Sequence, residues 1–320
     1  MRLNPGVLAC LAALGFPAPA TAQPAVSHPR IGLLAWDACE MPALIAGLKE
    51  LGRRPGENIV IECRSAGKRY EGLAQATSEL VKLPVDVIVS ESEPAGHIAR
   101  SVTQTVPIVT ILSGDPVGSG LAQSLARPGG NLTGLTYYAT ELTGKRLELL
   151  KDMVPGIASV GVLANPDVAY LPFEEDTRKA AQLLGLSVIV RQVREPGALD
   201  DAIHRMKAEG AQAVFVLPDV MFASEAKHIV DAALAEHLPV MAWGNWFTEL
   251  GGLMAYSADY ESLVRRLALY VDRILKGARP GELPIEQATR FELSLNLRTA
   301  RSIGVTIPPE LLMRADKVIE

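Results

Sequence analysis

The fold is decided by the stretch RIGLLAWDACEMPALIAGLKELG, residues 30–52. Residues 30–36 form a short apolar run that is typical of a buried β-strand. Apolar residues then recur at helical spacing over 44–51, and Gly52 follows as a helix-ending residue. A strand that leads directly into an amphipathic helix predicts the first unit of a parallel sheet covered by helices.

The same alternation continues through the chain in two blocks. The first predicts strands at 58–63, 86–90 and 107–111, with helices at 70–83 and 94–104. The second predicts strands at 159–164, 186–193, 213–217 and 239–242, with helices at 173–184, 198–209 and 223–236. Two such blocks predict an α/β protein made of two Rossmann-like lobes, each with a parallel sheet.

Three clusters of turn-forming residues, at 127–131, 251–252 and 277–284, indicate where the chain passes between the lobes. The alternative is three surface loops in one large sheet. Three crossings are typical of the type I periplasmic binding protein fold. We therefore expect an N-terminal lobe over 28–130 plus 252–278, and a C-terminal lobe over 131–251 plus 279–320.

The N-terminus has the features of a signal peptide over residues 1–22. Arg2 supplies a positive charge, residues 7–16 are apolar, and Ala20 and Ala22 are small residues at the two positions that signal peptidase recognises. The apolar stretch is too short for a transmembrane helix. Cys10 lies inside it, which argues against a lipoprotein. The alternative is a retained N-terminal segment; we expect cleavage after Ala22 and residence in the periplasm.

Composition and motifs exclude several classes of function. The formal net charge is −5 and no basic run is present, which argues against nucleic acid or an anionic membrane as a partner. The sequence has no CxxC pair, GxGxxG, P-loop or GxSxG motif, and its five histidines are scattered. We expect no metal, no cofactor and no catalytic residue. The glycine-rich stretch 114–120 could still form an anion-binding nest of backbone amides.

Two cysteines, Cys39 and Cys63, follow the signal peptide. Cys39 comes just after the first predicted strand and Cys63 ends the second, so parallel pairing would bring both thiols to one edge of the sheet. A disulfide is expected in an oxidising compartment. Two buried free thiols are the alternative.

Ligands of open parallel sheets bind beyond the carboxyl ends of the strands. Two facing lobes would place these ends around one cleft, and the side chains there combine aromatic surface with hydroxyl, amide and carboxylate groups, as a pocket for a small amphiphilic solute requires. The predicted ligand-binding residues are Trp36, Ser90, Ser92, Glu93, Ser113, Asp115, Asn165, Asp219, Trp243, Asn245 and Tyr256.

Several of these residues have a structural alternative. Asp115 and Asp219 could cap helices, which is a common position for aspartate after a strand. Trp36 and Trp243 could pack the lobes, although two of only three tryptophans fall at strand ends. Trp246 is expected just outside the cleft.

Three longer motifs resemble one family. They are GDPVGSGLAQSLARPGGNLTGLT at 114–136, TELTGKRLELL at 140–150, and the tract from 270 to 320 that begins YVDRILKGARPGELP. In these motifs the chain resembles the ABC transporter substrate-binding family, whose members include binders of aromatic amino acids. The resemblance implies a type I binding-protein fold, periplasmic residence, and an inner-membrane permease with its ATPase as partners.

One position departs from the family pattern. Where the family usually has a small residue and threonine before the third helix, this chain has Ser92-Glu93-Pro94-Ala95. The family pattern would leave helix amides and a hydroxyl free for a ligand carboxylate. Glu93 could cap the helix; if it faces the cleft, it would favour a ligand with an amine or several hydroxyls.

The sequence therefore predicts a solute-binding component of an ABC importer that traps its ligand between two lobes. A periplasmic sensor that presents its solute to a membrane receptor kinase would have the same fold and site. An α/β enzyme with an unrecognised site is a third possibility. A cytoplasmic repressor is excluded, because the export signal stands where a helix-turn-helix would be.

Overall fold

The computed structural model describes residues 28–137, 139–168 and 171–320. The predicted signal peptide and its cleavage site after Ala22 lie outside the described residues. In chain order, the elements up to the last strand of the first block are β1 (Arg30–Ala35), α1 (Pro42–Glu50), β2 (Val60–Ser65), α2 (Tyr70–Lys82), β3 (Val87–Ser90), α3 (Glu93–Val102), β4 (Ile108–Leu112) and β5 (Leu132–Thr136).

The chain then continues through a second set of alternating elements. These are α4 (Ala139–Met153), β6 (Ser159–Ala164), α5 (Phe173–Leu183), β7 (Ser187–Gln192), α6 (Leu199–Ala208), β8 (Val214–Val216), α7 (Val220–Ser224), α8 (Ala226–Ala235), β9 (Val240–Ala242), α9 (Trp246–Glu249) and β10 (Met254–Ala258). The C-terminal elements are α10 (Tyr260–Leu275), β11 (Glu286–Gln287), β12 (Phe291–Asn296), α11 (Leu297–Ser302), α12 (Pro309–Arg314) and β13 (Lys317–Ile319).

The strands form two sheets, which confirms the predicted α/β architecture. The first has the order β11-β5-β4-β3-β1-β2 and its paired strands are parallel. The second has the order β13-β12-β10-β9-β8-β6-β7 and is parallel except where β12 runs antiparallel to β10. Strands β3 and β4 are buried along their whole length, as expected for sheets covered on both faces.

The first crossing lies later than predicted. The strand β5 follows the turn cluster 127–131, yet it pairs with β4 in the first sheet. The cluster is held to the same lobe, because the Asn131 amide donates to the carbonyls of Thr103 and Val106. The chain leaves the first sheet after Thr136. The proposed boundary at 130/131 was wrong, since proline and glycine mark a turn without specifying the sheet that follows it.

The other two crossings are also displaced. The pair at 251–252 precedes β10, which still belongs to the second sheet, and the chain returns to pack α10 on α1 only after Ala258. The segment 277–284 precedes β11, which pairs with β5. The last passage therefore lies between Gln287 and Phe291. Three passages join the two sheets, each a few residues beyond the predicted position.

Close packing between α1 and α10 depends on a glycine. A Cβ atom at Gly47 would lie 2.4 Å from the backbone oxygen of Arg265 and 2.9 Å from the Cβ of Ala268. The two helices therefore approach each other at a distance that only glycine permits.

The cysteines Cys39 and Cys63 form a disulfide, with their Cα atoms 5.9 Å apart. It ties the loop after β1 to β2, which is the edge strand of the first sheet. The predicted pairing is present because parallel neighbours bring the two cysteines to the same edge.

Candidate functional site

A cavity of about 480 Å³ lies where the carboxyl ends of the two sheets face each other. The segments that follow β1, β3 and β4 line it from the first sheet, and those that follow β8 and β9 line it from the second. This is the position expected for a ligand in a doubly wound α/β protein. A volume of this size falls within the usual range of small-molecule sites.

Among the described residues, four aromatic side chains form a cluster on one wall of the cavity. The rings of Tyr137 and Trp243 are stacked with centroids 6.1 Å apart, and Trp246 meets Trp243 edge-on at 4.9 Å. The ring centroid of Tyr260 lies 5.7 Å from that of Trp246 and 6.4 Å from that of Trp243. These offset and edge-to-face arrangements are favourable for aromatic pairs, and they leave flat apolar surface toward the cavity.

Two side chains of the first lobe reach across to the second. The indole Nε1 of Trp36 donates to Ser224 Oγ at 3.4 Å, and the hydroxyl of Tyr70 donates to Asp219 Oδ2. The Trp36 and Tyr70 rings lie 4.9 Å apart. The two lobes are thus joined directly beside the cavity.

Asp219 lines the cavity and also caps a helix. Its Oδ1 accepts from the backbone N–H groups of Met221 and Phe222 at 2.9 and 3.1 Å, at the start of α7. Burial raises the pKa of the carboxyl, and the hydrogen bonds from Tyr70 and the helix oppose this rise in part. Capping and cavity lining, which the sequence left as alternatives, are both present.

Glu93 is buried at the start of α3 and does not cap that helix. Ser92 does so, because its Oγ accepts from Ala95 N at 3.4 Å. One carboxylate oxygen, Glu93 Oε2, instead accepts from Ser113 N at 2.8 Å, Ser113 Oγ at 3.0 Å and Gly114 N at 2.5 Å. The other oxygen, Oε1, is buried without a hydrogen-bond partner. Burial raises the pKa of Glu93, while these donors and nearby His97 lower it in part.

Glu91 lies two residues before Glu93 and also lines the cavity. Burial raises its pKa to about 7. Its backbone oxygen accepts from the hydroxyl of Tyr260, so the aromatic cluster is anchored to the segment that follows β3.

Six of the eleven predicted side chains line this cavity. They are Trp36, Ser92, Glu93, Ser113, Asp219 and Trp243. All six follow a strand at the edge where the sheets face each other, as the strand-end reasoning required.

Two predicted residues from the first lobe lie elsewhere. Ser90 is still part of β3, and its Oγ is 2.8 Å from Thr110 Oγ1 of the neighbouring strand inside the sheet. Asp115 is exposed, and its carboxylate accepts from Val117 N at 2.9 Å in a local turn. These two side chains have structural partners outside the cavity.

Three predicted residues from the second lobe also lie outside it. Asn165 lines an adjoining cavity of about 300 Å³, although its amide lies close enough to Asp219 to lower the pKa of that carboxyl. Asn245 donates to Glu292 at 3.1 Å, and the Tyr256 ring lies 6.1 Å from Phe291. The unpredicted strand β12 supplies both of these last partners.

The sequence reasoning missed three aromatic residues of the cavity wall. Trp246 was expected just outside and instead belongs to the cluster. Tyr137 directly follows β5, and Tyr260 follows β10 after one intervening residue. The same strand-end rule would have found Tyr137 if the first crossing had been placed after residue 136.

Neither a metal site nor a membrane span emerges from the described residues. The three described ranges contain no group of three or more His, Cys, Asp or Glu side chains that could hold a metal ion. Within the same ranges, no helix combines the length and apolar character needed to cross a bilayer.

Comparison with known proteins identifies the family. The family model described as ABC transporter substrate binding protein matches residues 35–319. A tyrosine-binding protein of Clostridioides difficile is 25% identical over 262 residues, which cover 82% of this chain and 75% of that protein.

Solved structures share the fold. A conserved domain protein of Vibrio cholerae is 27% identical with a TM-score of 0.84, and the match covers 91% of this chain and all of that one. An ABC domain of Streptococcus pneumonia, solved in complex with L-Trp, is 24% identical with a TM-score of 0.83, covering 92% of this chain and all of that one. The chain therefore belongs to the family of ABC transporter substrate-binding proteins, which bind solutes and form a non-enzymatic class.

Proposed function

We propose that this chain is the periplasmic solute-binding component of an ABC importer and that it traps a small amphiphilic solute between its two lobes. The observation that carries the proposal is the cavity at the facing sheet ends, with its cluster of four aromatic rings. Two of the relatives support an aromatic or amino-acid-like solute, since one is named a tyrosine-binding protein and another was solved with L-Trp.

Trapping requires contacts that exist only when the lobes are together. Trp36 lines the cavity from the first lobe and Trp243 from the second, so a solute between them touches both. Such a solute binds the closed form better than an open one, and closure follows from that difference in affinity. The ABC permease, with its ATPase, would then recognise the closed pair of lobes and accept the solute.

Delivery to a permease requires export. The signal peptide predicted over residues 1–22 supports export, and N-terminal sequencing of the secreted protein should begin at Gln23. A mature protein that retains Met1 would contradict this part of the proposal.

Native mass spectrometry of the purified protein tests the binding function without assuming the solute. A thermal-shift screen with amino acids, aromatic acids, aromatic amines and nucleosides then identifies the class, because a tight ligand raises the melting temperature by mass action. Neither a co-purified small molecule nor a shift with any of these compounds would refute the proposal.

Truncation of the cavity wall gives a residue-level test. Trp243→Ala should raise the solute Kd at least 30-fold, because removing a central aromatic anchor typically costs about 2 kcal/mol or more. Tyr256→Ala is the matched control, since this ring packs on Phe291 outside the cavity, and its Kd should stay within threefold of the wild-type value. Equal effects of the two variants would contradict the assigned site.

A further inference from the structure

We infer that the solute is an organic cation, namely an aromatic primary amine without a carboxylate, whose ammonium group pairs with Glu93. The inference rests on the proposed function, because it names the solute class of the same cavity. Charge contributes the first step, hydrogen bonding the second and third, and aromatic geometry the fourth.

The first step is the charge of the cavity wall. Among the described lining residues, five are acidic and none is Lys, Arg or His. The five are Asp37, Glu40, Glu91, Glu93 and Asp219. A low-dielectric cleft lined by one sign of charge attracts ligands of the opposite sign.

Lys68 and Arg146 are engaged elsewhere, and His97, which lies near Glu93 in α3, does not line the cavity. Lys68 pairs with Asp37 at 3.0 Å near the mouth of the cavity. Arg146 is buried behind Tyr137, and its Nε donates to the backbone oxygen of Tyr256 at 2.8 Å. Neither side chain lines the cavity, so neither provides a wall contact for a ligand carboxylate.

The second step is the unequal environment of the two Glu93 oxygens. Oε2 accepts three hydrogen bonds, whereas Oε1 is buried without a partner, and Glu93 itself is 1% exposed. Buried polar atoms are nearly always hydrogen-bonded, and a buried carboxylate needs a compensating charge. A ligand ammonium would supply both a donor and a positive charge.

The third step concerns the place that a ligand carboxylate would occupy. The backbone N–H groups of Ser113 and Gly114, together with the Ser113 hydroxyl, are donors of the kind that bind a carboxylate. Glu93 takes all three with its own oxygen. An external carboxylate would find these donors occupied and would face Glu93 and Glu91, so the site disfavours an amino acid.

The fourth step is the aromatic wall. Electron-rich faces of Trp and Tyr attract a cation and also accept the flat body of an aromatic ligand. The indole Nε1 of Trp243 is buried without a hydrogen-bond partner, so it needs an acceptor. A phenolic oxygen on the ligand would satisfy this N–H without adding negative charge.

Calorimetry with three matched compounds tests the inference on the mature protein. Tyramine carries the amine alone, 3-(4-hydroxyphenyl)propionate carries the carboxylate alone, and L-tyrosine carries both. Tyramine should bind at least tenfold tighter than L-tyrosine, and the acid should bind more weakly than either.

A charge-neutralising substitution then locates the contact. Glu93→Gln should raise the tyramine Kd at least tenfold and reduce the preference for tyramine over L-tyrosine. Glu310→Gln, which removes the same charge from an exposed position of α12 outside the cavity, should change both Kd values less than threefold. The ratio of the tyramine Kd to the L-tyrosine Kd, measured on one variant, does not depend on the fraction of folded protein. A poorly folded Glu93→Gln sample therefore still gives an interpretable result.

The outcomes separate this inference from the proposed function. Binding of L-tyrosine or the acid as tightly as tyramine would overturn the inference and leave a solute-binding function intact. Binding of none of the three, with another small molecule found by native mass spectrometry, would do the same. Absence of any bound molecule would overturn both.

Discussion

Removal of the Tyr70 hydroxyl should favour separation of the two lobes. This hydroxyl donates to Asp219 Oδ2, whereas Oδ1 is bound to the backbone of α7 within the same lobe. In Tyr70→Phe, one carboxylate oxygen loses its donor when the lobes are together, and water can hydrate that oxygen when they part. The variant therefore penalises the closed form selectively.

The size of the effect follows from the charged acceptor. A hydrogen bond to a charged group contributes about 1.5–3 kcal/mol, so the ratio of closed to open protein should fall roughly 10- to 150-fold. If the free protein is mainly open, the apparent solute Kd rises by the same factor. If the free protein is mainly closed, the substitution first increases the open population, so the protein becomes more extended and the Kd rises by less than the full factor.

Small-angle X-ray scattering of the free protein and calorimetric titration with the solute together cover both cases. Ser224→Ala is the comparator, because it removes the longer 3.4 Å bond from Trp36, which joins neutral groups at an exposed position. Its effect should stay below about threefold, since such a bond contributes about 0.5 kcal/mol. An unchanged radius of gyration together with an unchanged Kd in Tyr70→Phe would refute the assigned role of this contact.

Further predictions concern stability. Replacing Cys39 and Cys63 by serine should lower the unfolding free energy by about 3.5 kcal/mol, from the loop entropy of a 24-residue separation. Denaturant unfolding of the wild type and of the variant checks this, and a reductant should destabilise only the wild type. Glu91 has a folded pKa of about 7 against 4.5 for the free side chain, so its contribution to the free energy of unfolding is present below pH 4.5 and is lost as the pH rises through 7. The free energy of unfolding should fall by at most about 3 kcal/mol over that range. Glu91→Gln should flatten this part of the stability–pH profile. Gly47→Ala should destabilise the protein by about 1–3 kcal/mol, because its Cβ would press on a backbone oxygen of α10. Gly144→Ala should instead stabilise it by up to about 1 kcal/mol in thermal unfolding, because the new Cβ would lie 3.9 Å from the Cβ of Ala180, which is an ordinary contact. Equal signs for the two variants would contradict the packing described.

The regular part of the fold was predictable because local pattern and tertiary role coincide there. The strand over Arg30–Ala35 and the helix over Pro42–Glu50 lie where apolar spacing placed them. The crossings were not predictable in the same way. The turn cluster at 127–131 is a real turn, but the pairing of the next strand is decided by long-range contacts that composition does not encode.

The candidate site was predictable where it depends on strand ends. Trp36 and Asp219 line the cavity because each follows a strand of one parallel sheet. Asn245 follows a strand and Tyr256 lies within one, but neither lines the cavity, because the antiparallel strand β12 supplies partners from a distant part of the sequence. A polar or aromatic residue after a strand is available to a ligand only if no neighbouring strand engages it first.

The segments that join the lobes also contribute to the cavity wall. Tyr137 lies directly after β5 on the first passage between the sheets, and Tyr260 begins α10 on the second. Rotation of the lobes would turn these two backbone segments and carry the rings with them. Ligand selectivity and the hinge angle would then share the same residues, so a substitution made to change the solute would also alter how far the two halves swing apart.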